Sequence, residues 1–197
     1  IQEGLSITKR LIKKLIDNDF KDFSSLIFHS LPFNYLHSID FSNLNLKGSI
    51  FLQTIDDCKF DGAALQGARI NAINQISLKH TDLREVSFQS STSNSDTLMF
   101  NLDHALLSTE VFIDLSRYYT DNFIGADLSQ VNFQEPRIKD YFWALNFAKA
   151  DLKNVDLSGL ELSSLNLVGA DLTHANLRHI GISRAIIDCQ TTFKGSQ

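Results

Sequence analysis

From Phe147 to Ile187 a large apolar residue returns at every fifth position, nine times without a miss: Phe147, Leu152, Leu157, Leu162, Leu167, Leu172, Leu177, Ile182 and Ile187. Five is neither the 3.6-residue period of a helix nor the two-residue period of a strand. No single element can therefore put all nine side chains on one face. A strict short period predicts a solenoid, in which each repeat forms one side of a coil and stacked coils build the core. These nine positions are the expected structural core.

Polar and small residues keep the same register. Two positions before the large residues stand Leu145, Ala150, Val155, Leu160, Leu165, Ala170, Ala175, Ile180 and Ala185, all apolar and often small. One position before stand Asn146, Asp151, Asp156, Glu161, Asn166, Asp171 and Asn176, until Gly181 and Ile186 break the rule. Gly48, Gly62, Gly67, Gly125, Gly159 and Gly169 each follow a large residue by two, where a tight corner would need an unusual backbone angle.

The units Ala126-Asp127-Leu128, Ala150-Asp151-Leu152 and Ala170-Asp171-Leu172 resemble the A-(D/N)-L-x-x motif of the pentapeptide-repeat family. The resemblance implies an all-β fold, a right-handed quadrilateral β-helix with four pentapeptides per coil and the large and small apolar residues pointing inward. It also implies that the motif residues are structural.

The remaining chain falls into shorter runs of the same period. Phe123, Leu128, Phe133 and Ile138 precede the long run, and the jump to Phe147 reads as one residue dropped around Lys139–Trp143. Leu36 to Phe51, Phe60 to Ile70 and Leu78 to Phe88 make three more runs, separated by slips that predict bulges or loops. Phe23, Phe28 and Phe33 keep the period too, so coiling is expected to begin before residue 36. Two stretches depart. Ile7–Ile16 places Ile7, Leu11, Ile12, Leu15 and Ile16 against Lys9, Arg10, Lys13 and Lys14, an amphipathic helix. Its two readings are an anionic-surface helix and a cap over the open end of the solenoid, and the cap is preferred because unpaired coil edges need cover. Ser90–Asn122 opens as a polar loop, and Thr109 could N-cap a helix to about Tyr119. The organisation expected is one domain over 1–197, with a helical cap over 1–22 and an insertion over 90–122. Because loops on rigid scaffolds often carry function, Phe112, Leu115, Tyr118 and Tyr119 are the candidate partner contacts.

Composition adds limits rather than chemistry. The 197 residues are 43% hydrophobic, enough for a core, and no apolar run approaches the ~20 residues that cross a bilayer. The start at Ile1 reads as a fragment of a longer protein, and Cys58 and Cys189 are too far apart in the repeat to suggest a disulfide framework. His174 and His179 look like a metal pair, but a spacing of five puts them on adjacent faces. Asp151 and Asp171 should stack at ~4.8 Å, as a solvated ladder rather than a catalytic pair. No phosphate loop or nucleophile elbow is present. The expectation is therefore no catalytic, cofactor or metal site.

Three functional readings follow. The preferred one is a protein-interaction scaffold, a module of a bacterial effector delivered to host cells. Asp40–Asn43 and the interruption of the repeats are similar to the pentapeptide modules of enteric type III effectors. The second is the family's DNA-mimicking protection of gyrase. Over 121–197, however, nine acids face seven bases, and the net charge of −5 is dilute for a DNA mimic. The third is a free-standing cytosolic repeat protein. A protein partner is expected, with neither nucleic acid nor membrane, and the place of action is either the bacterial cytoplasm or the host cell.

Overall fold

The computed structural model describes residues 6–7, 9–28, 35–73, 75–88, 99–118, 122–140 and 145–197. Their contacts divide the chain into two compact units, Ile1–Asn101 and Leu102–Gln197.

In the second unit the five-residue grammar becomes coils. Phe147 N–H donates to the Asn166 carbonyl at 2.8 Å, and Asn166 N–H donates to the Leu145 carbonyl at 3.2 Å. The same exchange joins Leu152 to Asp171 and Asp171 to Ala150. The parallel bridges Asn146↔Asn166, Asp151↔Asp171, Asp156↔Asn176, Glu161↔Gly181 and Asn166↔Ile186 are each 20 residues apart. Twenty is four pentapeptides, so each pentapeptide forms one side of a β-helical coil. Inward sites hold the expected residues: Phe147, Leu152, Leu157, Leu162, Leu167 and Leu172 are buried, as are Ala150, Ala170 and Ala175.

The expected core fails at its far end. Leu177 is half-buried, while Ile182 and Ile187 are 38% and 50% exposed. Leu177 N–H still donates to the Gln197 carbonyl at 2.9 Å, whereas among the described residues none stands a full coil beyond Ile182 or Ile187. A solenoid side chain is buried by its neighbours above and below, and here one of the two is missing.

The jump from Ile138 to Phe147 is also resolved differently. The bridges Asn122↔Asn146 and Asp127↔Asp151 span 24 residues, so that coil carries four extra residues rather than one fewer. Adding four and dropping one leave the same phase in a period of five, which is why spacing could not separate them. Part of the excess forms a 3₁₀ turn over Pro136–Asp140, and residues 141–144 lie outside the described set.

The first unit is built on short parallel strands. One sheet runs β1 (Ser6–Ile7), β2 (Ile27–Phe28), β4 (Ile50–Asp56), β6 (Arg69–Ile73) and β8 (Ser87–Phe88), with β3 (Tyr35–His37) also on β4. The other runs β5 (Cys58–Lys59), β7 (Gln75–Ser77) and β9 (Met99–Asn101). Its coils are uneven: Ile27 pairs with Ile50, Ile50 with Arg69, and Arg69 with Ser87. The slip after Phe51 appears as a register shift between Phe51 and Thr54, inside a seven-residue strand. Phenylalanine fills the interior. Phe28 and Phe51 stack at 4.4 Å with rings 2° from parallel, and Phe41 and Phe60 stack at 4.9 Å. Phe23 and Phe28 are fully buried and Phe28 is paired, so coiling does begin before residue 36; Phe33 lies outside the described residues.

Both helices differ from their sequence-based limits. α1 covers Lys9–Asp17, and Ile7 belongs to β1 instead. The helix closes with Asp19 at φ 64°, Phe20 N–H on the Leu15 carbonyl and Asp19 N–H on the Ile16 carbonyl, a left-handed cap that satisfies the last carbonyls. α2 covers Thr109–Tyr118, and its N-cap is Ser108, whose hydroxyl accepts Val111 N–H at 3.4 Å. Thr109, the expected cap, instead accepts Asn132 N–H at 2.9 Å. The insertion expected over 90–122 is shorter than that range. Residues 99–107 belong to the coils: β9 pairs with β7, Leu106 bridges Asp127, and Leu102, Ala105 and Leu107 are buried. Residues 89–98 and 119–121 lie outside the described set.

Candidate functional site

Each pentapeptide ends in a turn, and the turn explains the acid or amide before the large residue. Asp151 Oδ1 accepts the N–H of Lys153, two residues on, at 3.0 Å. Asp127, Asp156, Asn166, Asp171 and Asn176 repeat this bond toward Ser129, Ser158, Val168, Thr173 and Arg178. Glu161 does the same toward Ser163. These are Asx-type turns, in which a short polar side chain substitutes for a backbone acceptor. The third turn residue takes a positive φ, 60° at Lys149 and 68° at Gly159, the geometry of a type II turn. Glycine recurs there because it meets no Cβ penalty.

Gly181 is a different case. It sits beneath Glu161 in the ladder, and a Cβ on it would run into the Glu161 carboxylate. The ladder thus accommodates its one glutamate by leaving the stacked position bare.

One such ladder on the outward surface of the second unit underlies a groove. The groove, of roughly 380 Å³, is lined by His104, Asp127, Lys149, Asp151, Lys153 and Asp171, together with small residues. Lys153 Nζ lies 2.5 Å from Asp151 and 3.2 Å from Asp171, so one cation bridges two stacked carboxylates. The hydrogen bond that Lys153 donates to Asp151 raises the lysine's pKa. Burial raises the Asp171 carboxyl, but bonds from Thr173 and Lys153 outweigh it and leave the pKa below its ordinary value. Asp156 is likewise lowered, first by its hydrogen bond with Ser158. Asp156 and Asp171 are therefore held ionised by their turn bonds, and Asp171 also by Lys153. A proton-sharing pair would instead hold one carboxyl raised.

The residues expected to meet a partner are placed otherwise. Phe112 and Leu115 are fully buried. Phe112 lies 4.7 Å from Phe123 and 5.4 Å from Phe133 between ring centroids, so α2 points its apolar stripe into the coil interior. Large apolar residues at helical spacing were filling a core rather than awaiting a ligand. Tyr119 and the side chain of Tyr118 lie outside the described residues. His174 and His179 are exposed corner residues with positive φ. Among the described residues no group of three or more His, Cys, Asp or Glu could hold a metal ion.

α2 is tied down by Arg137 on the 3₁₀ turn, which reaches Glu110 at 2.6 Å and Glu135 at 2.8 Å. Asp114 on α2 has a raised pKa, first from burial and then from the charge of Glu110. The cluster leaves no trace in the repeat pattern, because Glu110 and Arg137 are 27 residues apart, out of step with a period of five.

Residues 145–179 match the family model described as pentapeptide repeats, in 8 copies. No curated protein is a detectable match. Among solved structures, the chain is similar to HetL, a pentapeptide repeat protein involved in heterocyst differentiation regulation from the cyanobacterium Nostoc sp. strain PCC 7120. That likeness has a TM-score of 0.38 and 14% identity, covering 93% of this chain and 95% of HetL. It is also similar to full-length QnrB1, a plasmid-mediated fluoroquinolone resistance protein, with a TM-score of 0.30 and 13% identity over 98% of this chain and 91% of QnrB1.

Proposed function

We propose that this chain, a pentapeptide-repeat protein, is a non-catalytic scaffold that binds another protein through the outward side chains of its coils. One observation carries the reading: both recurring classes of repeat residue are already committed within the fold. The large and small apolar residues fill the interior. The acids and amides are bonded to the backbone two residues on, as at Asp151, Asp156 and Asp171. What remains variable is the pair of turn residues on each side, a set suited to contact rather than to bond-making.

Within this reading the coils are right-handed, and α1 covers the first coil of its unit. The setting we propose is a module of a bacterial effector acting in a host cell, supported by the similarity at Asp40–Asn43 and by the interruption of the repeats at α2. DNA mimicry is disfavoured by the mixed charge of the groove, since Lys153 breaks the negative ladder where a mimic needs it continuous.

Photo-crosslinking tests the scaffold. A benzophenone amino acid placed at exposed Ile124 or Leu52 should form a discrete crosslink to a protein in host or bacterial extract, competed by unlabelled chain. Catalytic turnover by the purified chain, with no competed crosslink at any outward position, would overturn the reading.

A further inference from the structure

We infer that the outward side of α1 is a docking surface for an acidic segment of a partner protein. The inference rests on the scaffold reading and names the kind of partner. Arg10, Lys13 and Lys14 are exposed and stand three and four residues apart, so they share one side of the helix. None of them enters an ion pair among the described residues. Three cations elsewhere are held in ion pairs: Arg84 pairs with Asp82, Arg137 with Glu110 and Glu135, and Lys153 with Asp151 and Asp171.

The arrangement works against the helix itself. Arg10 repels Lys13 and Lys14 at the spacings where like charges destabilise a helix. The first turn, opened by Lys9 and Arg10, has no acid, although a helix N-terminus favours negative charge. An anionic partner relieves both penalties at once. Leu11 on the same helix is 44% exposed, and Phe20 just beyond it is 42% exposed with its ring edge-on to Phe23 at 5.0 Å. Apolar side chains beside cations suit a segment with an apolar residue among its acids.

The chemistry favours a protein segment over a membrane. An interfacial helix needs its whole apolar stripe for lipid. Here Ile12 is fully buried in the unit and Leu15 and Ile16 are half-buried, which leaves only Leu11. A long polyanion would meet the −5 charge of the chain, whereas a short acidic segment reaches the helix alone.

The test uses the full chain, a synthetic Glu-rich peptide with a central Leu, its Gln-substituted counterpart, and phosphatidylserine vesicles. Fluorescence anisotropy should show binding of the Glu peptide but not the Gln peptide, weakening as salt rises. Arg10→Glu, Lys13→Glu and Lys14→Glu together should weaken it by at least about tenfold, with an unchanged thermal melt. The triple Gln variant gives the same comparison if charge reversal disturbs folding. Equal peptide binding by these variants overturns the surface. So does vesicle sedimentation that depends on the three cations while the peptide stays free. If the partner crosslinked from extract is retained by the triple variant, this surface falls and the scaffold reading stands. If neither peptide nor crosslinked partner is found, both fall.

Discussion

At the scale of single residues, one hydrogen bond explains most of the polar grammar. The carboxylate of Asp171 accepts Thr173 N–H at 3.0 Å, and an amide oxygen can do the same, as Asn176 does for Arg178. Asp171→Asn should therefore be mild, whereas Asp171→Ala should cost about 1 kcal/mol, the usual net value of such a bond. Urea melts that find Asn and Ala equally costly would show that charge, not the turn bond, matters at this position. The pair Glu161 and Gly181 supports a sharper expectation. Gly181→Ala should push the Glu161 carboxylate off Ser163 N–H and cost about 1 kcal/mol. Shortening the acid with Glu161→Asp should recover most of that loss. Additive losses in the double-mutant cycle would mean the two residues do not share the space.

At the scale of elements, a coil is stable in proportion to what lies on either side of it. Leu167 and Ile187 belong to one column, yet the first is fully buried and the second is half exposed. Leu167→Ala should cost ~2–5 kcal/mol, in the range for a buried large-to-small change. Ile187→Ala should cost less than half as much in the same melts. Similar losses would place a further layer over the last coil. α2 is a local substitute for a coil side, and Phe112 is its anchor. Phe112→Ala should cost ~3–5 kcal/mol, while Thr173→Ala on an outward turn position should stay under about 0.5 kcal/mol. Only the first should loosen the Phe123 and Phe133 environment in aromatic NMR spectra.

At the scale of the molecule, charge sets how stability follows pH. The carboxyls of Asp82, Asp156, Asp171 and Asp188 all have lowered pKa values in the fold. For a depressed acid, the folded state binds protons less readily than the unfolded one, so its contribution is present above the unfolded pKa of about 4. That contribution is lost as pH falls through the lower folded value. Asp114 has the opposite sign, because burial and Glu110 raise it, and among the described acids with a resolved shift it alone favours folding as acid is added. The lowered acids outnumber it. Stability should be nearly flat from neutral pH to about 5 and fall steeply below about 4, as read from melting temperatures in a pH series. A maximum near pH 3 would contradict the assignment. The same mixed charge predicts that the chain neither inhibits gyrase supercoiling nor protects gyrase from a quinolone, which a supercoiling assay checks directly.

The sequence by itself determined the repeat, the inward residues from Phe147 to Leu172 and the corner glycines. Each follows from a period that only a coil of five-residue sides can satisfy. It also marked α1 and α2 through their helical spacing, but not where they point. Phe112 and Leu115 carry the same sequence signal whether a helix faces solvent or the coil interior. Only the packing around Phe123 and Phe133 decided between them. The four extra residues after Ile138 were hidden for a related reason, since phase in a repeat is blind to how many residues restore it. The ends escaped as well. Ile182 and Ile187 are as apolar as Leu162 and Leu167, and their exposure depends on a neighbouring coil that no local pattern encodes. The cluster of Glu110, Glu135 and Arg137 was invisible in the same way. Burial and long-range pairing are properties of stacked chain, and they exist only once the coils are formed.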